Sequence, residues 1–382
     1  MSEEQVAHST LPRHLLLIAG SGRILAQSAA RAGIHPVVLD LYADQDTREC
    51  AERCTLLAPA RIGFDPEVLL LLANGLAPPK LYPLIYGSGL DITPDLLEKV
   101  AENRILYGNP PALLRCLKTA RTFYALLDKL DIPYPEIRRA PPSDPAHWLL
   151  KAGHSEGGKG VRACTAESRA GENEYFQRRM PGPPMSLLFL ADGARMYPIG
   201  FNTLWSVERP GLPFLFQGAV NRVELAEPSR AELRKYALKL VQALQLKGLH
   251  SLDFMADADN CRVLELNPRP SSTIALYDQD LPGGLLGWHI RSFQGKLDNF
   301  RPPVSPIRAF RAVFSNRSLT IPTHMTWPEW CADRPEAGFS LAAGHPFCTI
   351  TAEGTGLLQI EHLLHRRAEE LRRSFEALHT LT

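Results

Sequence analysis

The chain has 382 residues, of which 45% are hydrophobic and 22% charged, and its formal net charge is +1. This composition excludes a disordered chain and is typical of a globular protein with about two or three domains. The near-neutral charge gives no sign of nucleic-acid or membrane-surface binding, and no run of about 18 apolar residues predicts a membrane-spanning helix. Residues 1–13 are polar and lack the features of a secretory signal, so we expect a cytoplasmic protein.

Strands and helices alternate in the N-terminal part, with strands predicted at 14–19, 36–40 and 84–86 and helices at 23–32, 66–73 and 94–102. This alternation predicts a parallel sheet with helices on its faces. The turn Gly20-Ser21-Gly22, with Asp40 after the next strand, is a partial dinucleotide fingerprint without its third glycine. An NAD-dependent enzyme is therefore an alternative that this part of the sequence leaves open.

The central and C-terminal parts mix both kinds of element. Helices are predicted at 113–130, 229–246 and 359–381, and strands at 148–151, 161–164, 174–180, 186–191 and 196–201. The run Arg301-Pro302-Pro303 marks a linker. We predict an α/β fold, α+β in its central part, with domains at 1–110, 111–190, 191–300 and 301–382.

A predicted hairpin, residues 251–255 followed by 263–269, carries regularly spaced polar side chains. Successive side chains of a strand alternate between its faces, so Glu265, Asn267 and Arg269 share one face. If residues 258–260 form a three-residue loop, Asp253 lies opposite Glu265, whereas a four-residue loop would shift the register and separate them.

Carboxylate and amide oxygens that converge in this way suit a hard cation such as Mg2+. The sequence therefore predicts metal ligands at Asp253, Glu265 and Asn267, and a guanidinium for a phosphate or carboxylate at Arg269. The alternative is an amphipathic hairpin whose polar face is merely solvated.

A glycine-rich segment, Gly153-His154-Ser155-Glu156-Gly157-Gly158-Lys159-Gly160, lies between two predicted strands. A Walker loop runs from strand into helix, so this segment is better described as a hairpin flap, and we call residues 153–160 the glycine flap. Amides at Gly157 and Gly158 can approach phosphate oxygens closely, and Lys151 and Lys159 supply positive charge beside them. An ordinary glycine-rich hairpin tip is the alternative.

The hairpin and the flap together resemble the ATP-grasp superfamily, in which an Asp and a Glu-x-Asn-Pro-Arg run bind two Mg2+ ions and the ATP phosphates. The resemblance implies an N-terminal Rossmann-like domain, a two-lobed ATP-grasp fold and a C-terminal extension. It also implies ATP and Mg2+ as cofactors, and ligation of a small-molecule carboxylate to an amine through an acyl phosphate. Arg269 and Lys151 would be the catalytic residues, and a homodimer is expected.

The same resemblance implies where the nucleotide binds. A second ATP lysine is expected before the Ile132-Pro133-Tyr134-Pro135 run, and Lys118 is the candidate. The adenine segment corresponds to Gln177, Arg178, Arg179 and Met180, while Pro184 replaces the Glu that binds ribose in the family. These departures leave open an ATP-binding regulatory or scaffold protein without turnover.

Three short runs, at 85–89, 107–110 and 344–349, resemble ATP-grasp proteins of methanofuran, methylofuran and related one-carbon cofactor synthesis. Within that group the similarity is to tyramine–glutamate ligases. It implies glutamate as the acid and tyrosine or a related amine as the acceptor.

Overall fold

The N-terminal strands form the parallel sheet that their alternation with helices predicts. The computed structural model of the chain describes residues 11–257 and 260–380. The strands are β1 (His14–Ile18), β2 (His35–Asp40), β3 (Arg53–Leu56) and β4 (Leu84–Tyr86), in the order β3-β2-β1-β4. Residues 15–18 are fully buried because helices cover both faces of the sheet. These helices are α1 (Arg23–Arg31), α2 (Gln45–Arg48), α3 (Pro66–Leu76) and α4 (Pro94–Ala101).

The single helix predicted at 113–130 is wrong, because two helices occupy this region. They are α5 (Pro111–Lys118) and α6 (Ala120–Lys129), and Thr119 between them has extended backbone with φ −93° and ψ 109°. The Thr119 hydroxyl donates to the Arg115 carbonyl at 2.9 Å, while its own carbonyl accepts from the amide of Phe123 at 3.0 Å. A threonine that bonds locally in this way competes with the helix ladder. The break leaves Lys118 at the end of α5, where it is buried.

A small antiparallel sheet carries the glycine flap. Its strands are β5 (Ile137–Arg138), β6 (Trp148–Ala152), β7 (Val161–Ala163) and β8 (Glu174–Arg178), in the order β5-β8-β6-β7. Trp148, Leu150 and Phe176 form its core. The flap joins β6 to β7 as predicted, whereas β8 ends two residues earlier than expected.

The centre of the molecule is an eight-stranded sheet in the order β13-β12-β9-β10-β11-β14-β18-β16. Its members are β9 (Met185–Asp192), β10 (Met196–Arg209), β11 (Leu212–Val220), β12 (Lys247–Asp257), β13 (Asn260–Asn267), β14 (Ile307–Phe314), β16 (Cys331–Ala332) and β18 (Pro346–Gly354). Leu187 and Phe189 of β9 join the core that includes α6 and α7 (Glu227–Leu244). The alternate residues Leu188 and Leu190 join the core that includes α1 and α8 (Gly284–Phe293). One face of the large sheet therefore packs against the N-terminal part.

The C-terminal segment continues this sheet, because β14 pairs with β11 on one side and β18 on the other. The predicted domain boundary at 301 thus falls between strands of one sheet, and the four-domain division stays a prediction. The last helix, α9 (Leu357–Thr380), packs through residues such as Ile360 and Leu364 against β14 and β18. A further pair, β15 (Leu319–Thr320) and β17 (Ser340–Leu341), lies outside the large sheet. Within the described ranges, no helix is long and apolar enough to cross a membrane.

Asn109 joins the N-terminal part to the two strands of the predicted hairpin. Its side-chain amide donates to the carbonyls of Pro268 at 2.9 Å and Lys247 at 3.2 Å, and its oxygen accepts from the Lys247 amide at 3.3 Å. Its backbone carbonyl accepts from the hydroxyl of Tyr86 at 2.8 Å. One buried asparagine therefore connects β4, β12 and the residue that follows β13.

We expect Asn109→Ala to lower the free energy of unfolding by about 1–3 kcal/mol, because the substitution leaves buried backbone groups without partners. Urea denaturation followed by circular dichroism measures the change. Asn316→Ala, at an exposed position, is the matched control and should not change the transition. Equal transitions for both variants would contradict a structural role for Asn109.

Candidate active site

The predicted opposition of Asp253 and Glu265 is confirmed, since the two residues are paired across β12 and β13. The predicted three-residue loop is wrong, because Asn260 pairs with Asp257; residues 258 and 259 lie outside the described residues. The ladder shifts by one residue between Asp253 and Phe254, which leaves Leu264 as a bulge. The shorter connection and the bulge offset each other, so the two carboxylates still meet.

The three predicted metal ligands converge. The amide nitrogen of Asn267 donates to Asp253 Oδ2 at 3.1 Å and to Glu265 Oε1 at 3.3 Å. The NH2 group of Asn267 therefore lies between the two carboxylates, where a cation would have to lie. Rotation of the side-chain amide by half a turn would direct its oxygen to the cation instead. The described residues contain no group of three His, Cys, Asp or Glu side chains arranged for a metal. This donor set fits Mg2+ that completes its coordination with phosphate oxygens.

Burial and charge act differently on the two carboxyl groups. Burial raises the pKa of Asp253 well above its ordinary value, and the neighbouring Glu265 raises it further. Burial alone would also raise the pKa of Glu265, but Lys118 and Lys151 lower it overall. Two adjacent buried carboxyl groups do not both ionise readily without a cation, so the pair favours binding of positive charge.

Asp91 is a site residue that the sequence analysis missed. It has no exposed surface, and its Oδ2 lies 3.2 Å from both Lys118 Nζ and Arg269 Nε. Burial alone would raise the pKa of Asp91, but Arg269 and Lys118 lower it overall, so the carboxylate is the charged partner of both cations. Asp91 follows Gly87-Ser88-Gly89 at the carboxyl end of β4, the edge at which α/β sheets bind ligands. This position, after a strand and a glycine turn, was the feature of the sequence that could have identified Asp91 as a site residue.

Lys151 faces the carboxylate pair from the small sheet. Its ammonium donates to Gln177 Oε1 at 3.3 Å, and the Gln177 amide donates to the hydroxyl of Tyr124 at 2.8 Å. Gln177 is buried, so this chain of hydrogen bonds fixes the lysine. The predicted lysines Lys118 and Lys151 thus approach Glu265 from two different elements.

In the predicted adenine segment, fewer backbone amides are available to bind adenine than the sequence analysis expected. The amide of Arg178 donates to the Glu136 carbonyl at 2.8 Å, and the amide of Arg179 donates to the His147 carbonyl at 2.8 Å. The Arg178 side chain pairs with Asp144 at 2.8 Å. Contacts with adenine would therefore involve carbonyl groups or the backbone of Met180.

The glycine flap lies across the cleft between the large sheet and the N-terminal part. The Gly157 carbonyl accepts from the amide of Phe216 in β11 at 2.9 Å. On the other side, Glu156 Oε2 accepts from the amide of Gly89 at 2.8 Å. A Cβ at Gly158 would lie 1.8 Å from the Phe214 carbonyl oxygen, so only glycine fits there. Lys159 is exposed.

Residues 119–273 match the family model described as an ATP-grasp domain. The chain carries an ATP-grasp domain. The matched range contains Lys151, the glycine flap and residues 253–269, but not Asp91 or Lys118. The match confirms the prediction of an ATP-dependent enzyme with ATP and Mg2+ as cofactors.

Solved structures show the same fold over most of the chain. A biotin carboxylase domain of 2-oxoglutarate carboxylase from Hydrogenobacter thermophilus, a dimer in complex with MgADP, ADP and bicarbonate, has a TM-score of 0.67 and 11% identity over 89% of this chain and 86% of that one. N5-carboxyaminoimidazole ribonucleotide synthetase from Thermus thermophilus has a TM-score of 0.65 and 16% identity, and the match covers 93% of this chain and 98% of that one. The N5-carboxyaminoimidazole synthase from Aspergillus clavatus has a TM-score of 0.66 and 14% identity, and the match covers 94% of this chain and 99% of that one. The predicted α/β class with an ATP-grasp fold is confirmed.

We expect Asp91→Asn to lower kcat for ATP-dependent turnover about 10–100-fold, because Lys118 and Arg269 lose the charge that holds them in place. The melting temperature should also fall, since two buried cations lose their counter-ion. Asp95→Asn, which removes an exposed carboxylate paired with Arg115, is the control and should change neither quantity. Wild-type kcat in Asp91→Asn would contradict the assigned role.

We expect Gly158→Ala to raise KM for ATP about 10-fold, equivalent to about 1.4 kcal/mol, because the added methyl group pushes the flap away from β11. Gly157→Ala is the matched control. Both glycines have positive φ, +77° and +58°, but a Cβ at Gly157 meets nothing closer than Phe216 Cβ at 4.0 Å. Steady-state kinetics with varied ATP measure the difference, and equal KM values for the two variants would exclude the steric explanation.

Proposed function

We propose that this chain is an ATP-dependent carbon–nitrogen ligase that joins a carboxylate to an amine through an acyl phosphate. The observation that carries the proposal is the carboxylate pair Asp253 and Glu265, which lies close to Lys118, Lys151 and Arg269 beneath the glycine flap. This arrangement combines negative groups for a cation with positive groups for phosphate and carboxylate.

The proposed roles follow from charge and position. Mg2+ held by Asp253, Glu265 and the Asn267 oxygen would neutralise phosphate charge in the ATP complex. Lys118 and Lys151 bind phosphate oxygens from opposite sides. The flap amides at Gly157 and Gly158 cover the phosphates and exclude water, which protects a reactive intermediate from hydrolysis.

Arg269 acts on the carboxylate substrate. A carboxylate oxygen attacks the γ-phosphorus of ATP, the bond to the β–γ bridging oxygen breaks, and ADP leaves. The amine then attacks the acyl carbon, phosphate leaves, and the amine loses a proton. The Arg269 guanidinium stabilises the carboxylate and the oxyanion of the second step. Burial alone would lower the pKa of Arg269, but Asp91 and Glu156 raise it, so the group stays charged.

For the substrates we propose glutamate as the acid and tyrosine or a related amine as the acceptor, in methylofuran-type one-carbon cofactor synthesis. The short runs at 85–89, 107–110 and 344–349 support this assignment. One of them, 85–89, contains the turn that contacts Glu156 of the flap. A cytoplasmic location and a homodimer belong to the same proposal.

The test measures ADP release with ATP, Mg2+ and a panel of amino acids and amines that includes glutamate, tyrosine and tyramine. With 18O in the carboxylate, an acyl phosphate transfers one labelled oxygen to the released phosphate, which mass spectrometry detects. ADP release without transfer of label would reject the acyl phosphate. If nothing in the panel stimulates ADP release although ATP raises the melting temperature, the ATP-binding regulatory or scaffold protein is favoured.

We expect Glu265→Gln to lower kcat about 100–1000-fold, because it removes a charge that binds the cation at the transferred phosphoryl group. Glu98→Gln, at an exposed position paired with Arg115, should retain wild-type kcat. The same ADP-release assay measures both variants, and an active Glu265→Gln enzyme would contradict the metal assignment.

A further inference from the structure

One carboxylate near Arg269 is not used by the arrangement described so far. Electrostatic interactions link Arg269 to the carboxyl groups of Asp91, Glu156, Asp253 and Glu265. Asp91 lies between two cations, and Asp253 and Glu265 form the pair that favours a metal ion. Glu156 is the remaining group, and it forms no ion pair with any residue in the part of the chain that the structure describes.

Glu156 extends from the glycine flap to the carboxyl edge of the parallel sheet. Its Oε2 accepts from the amide of Gly89, in the turn after β4, at 2.8 Å. Its Oε1 lies near the turn after β1, since a Cβ added at Gly20 would be 4.0 Å away from it. Among the described residues Oε1 has no hydrogen-bond partner. One oxygen of the carboxylate therefore holds the flap, and the other is available to a ligand.

A cavity of about 180 Å3 lies beside the turn that Glu156 contacts, and both Ser88 of this turn and Arg269 line it. Asp333 lines it as well, but this carboxylate is already paired. Its oxygens accept from Arg23 Nε at 2.7 Å and from Arg23 Nη2 at 3.4 Å. A substrate at Arg269 thus has free space next to it, and the unpaired carboxylate close to that space is Glu156.

The proposed reaction needs a proton acceptor at this place. An alkyl amine is protonated at neutral pH, because the pKa of such a group is about 10. An ammonium ion has no electron pair with which to attack the acyl carbon. The base that removes its proton has to lie within hydrogen-bond reach of the ammonium group. A carboxylate close to Arg269 is suited to this step, since Arg269 is proposed to hold the carboxyl group that the amine attacks.

Closure of the flap favours the proton transfer. Exclusion of water destabilises both the charged carboxylate and the charged ammonium group. Transfer of the proton converts this ion pair into a neutral carboxyl group and a neutral amine, so the cost of burying two charges is removed. Because Glu156 belongs to the flap, the base reaches the site only when the flap is closed.

We propose that Glu156 binds the ammonium group of the amine substrate and accepts its proton, which makes it a further catalytic residue. The inference rests on the proposed ligase function. The N–H bond breaks, the proton moves to Glu156 Oε1, and the electron pair left on nitrogen forms the bond to the acyl carbon. After the attack, the nitrogen loses a second proton to the leaving phosphate, which departs as hydrogen phosphate.

The experiment compares acceptors that differ in charge. Ammonium chloride, tyrosine and tyramine supply amines that are protonated at neutral pH, whereas hydroxylamine is uncharged and attacks an acyl phosphate without a base. Mass spectrometry measures amide and hydroxamate formation by the full chain with ATP, Mg2+ and each acid of the panel. We expect Glu156→Gln to lower kcat/KM for the amine about 100-fold and to change hydroxamate formation less than about 3-fold. Glutamine can still accept from the Gly89 amide, so the flap contact is retained.

Glu172→Gln, at an exposed position between β7 and β8, is the control and should keep wild-type rates with every acceptor. Equal losses with amines and hydroxylamine would show that Glu156 acts only through its contact with Gly89 and would overturn the inference. Wild-type amide formation in Glu156→Gln would overturn it too, as would a wild-type enzyme that forms hydroxamate but no amide from any of the three amines. If wild type forms neither product with any acid, the proposed ligase function fails, and the inference fails with it.

Discussion

The geometry of the candidate active site depends on one buried carboxylate, Asp91. It is the shared counter-ion of Lys118, from the end of α5, and Arg269, from the segment after β13. Two guanidinium or ammonium groups repel each other in a low-dielectric interior unless an anion lies between them. Because Asp91 belongs to the N-terminal part, that part contributes to the candidate site and does more than cover one face of the large sheet.

A second connection between the same parts is the glycine flap. Glu156 reaches the Gly89 amide, two residues before Asp91, while Gly157 bonds to β11. The flap is therefore linked to the turn that carries the counter-ion. The same turn after β4 therefore contacts the flap through Gly89 and both cations through Asp91. The close approach of Gly158 to Phe214 requires the absence of a side chain.

Opposite charges lie close together in the candidate site. Around the hairpin of β12 and β13, the carboxyl groups of Asp253 and Glu265 lie near Lys118 and Lys151, and the pair favours a cation. In the cavity next to Arg269, the guanidinium of Arg23 donates to Asp333 at 2.7 Å. Each of these charged groups therefore has a neighbour of opposite sign.

Local patterns in the sequence determined the alternating strands and helices of the N-terminal part, the flap, and the common face of Glu265 and Asn267, because each depends on residues close together in the chain. The break at Thr119 and the bulge at Leu264 were not predicted, since a side-chain hydrogen bond and a ladder shift leave no periodic signal. Only the tertiary structure brought Asp91 to Arg269, 178 positions later, and Arg23 to Asp333, 310 positions later. Contacts between such distant residues depend on how whole sheets pack, which spacing along the chain does not encode.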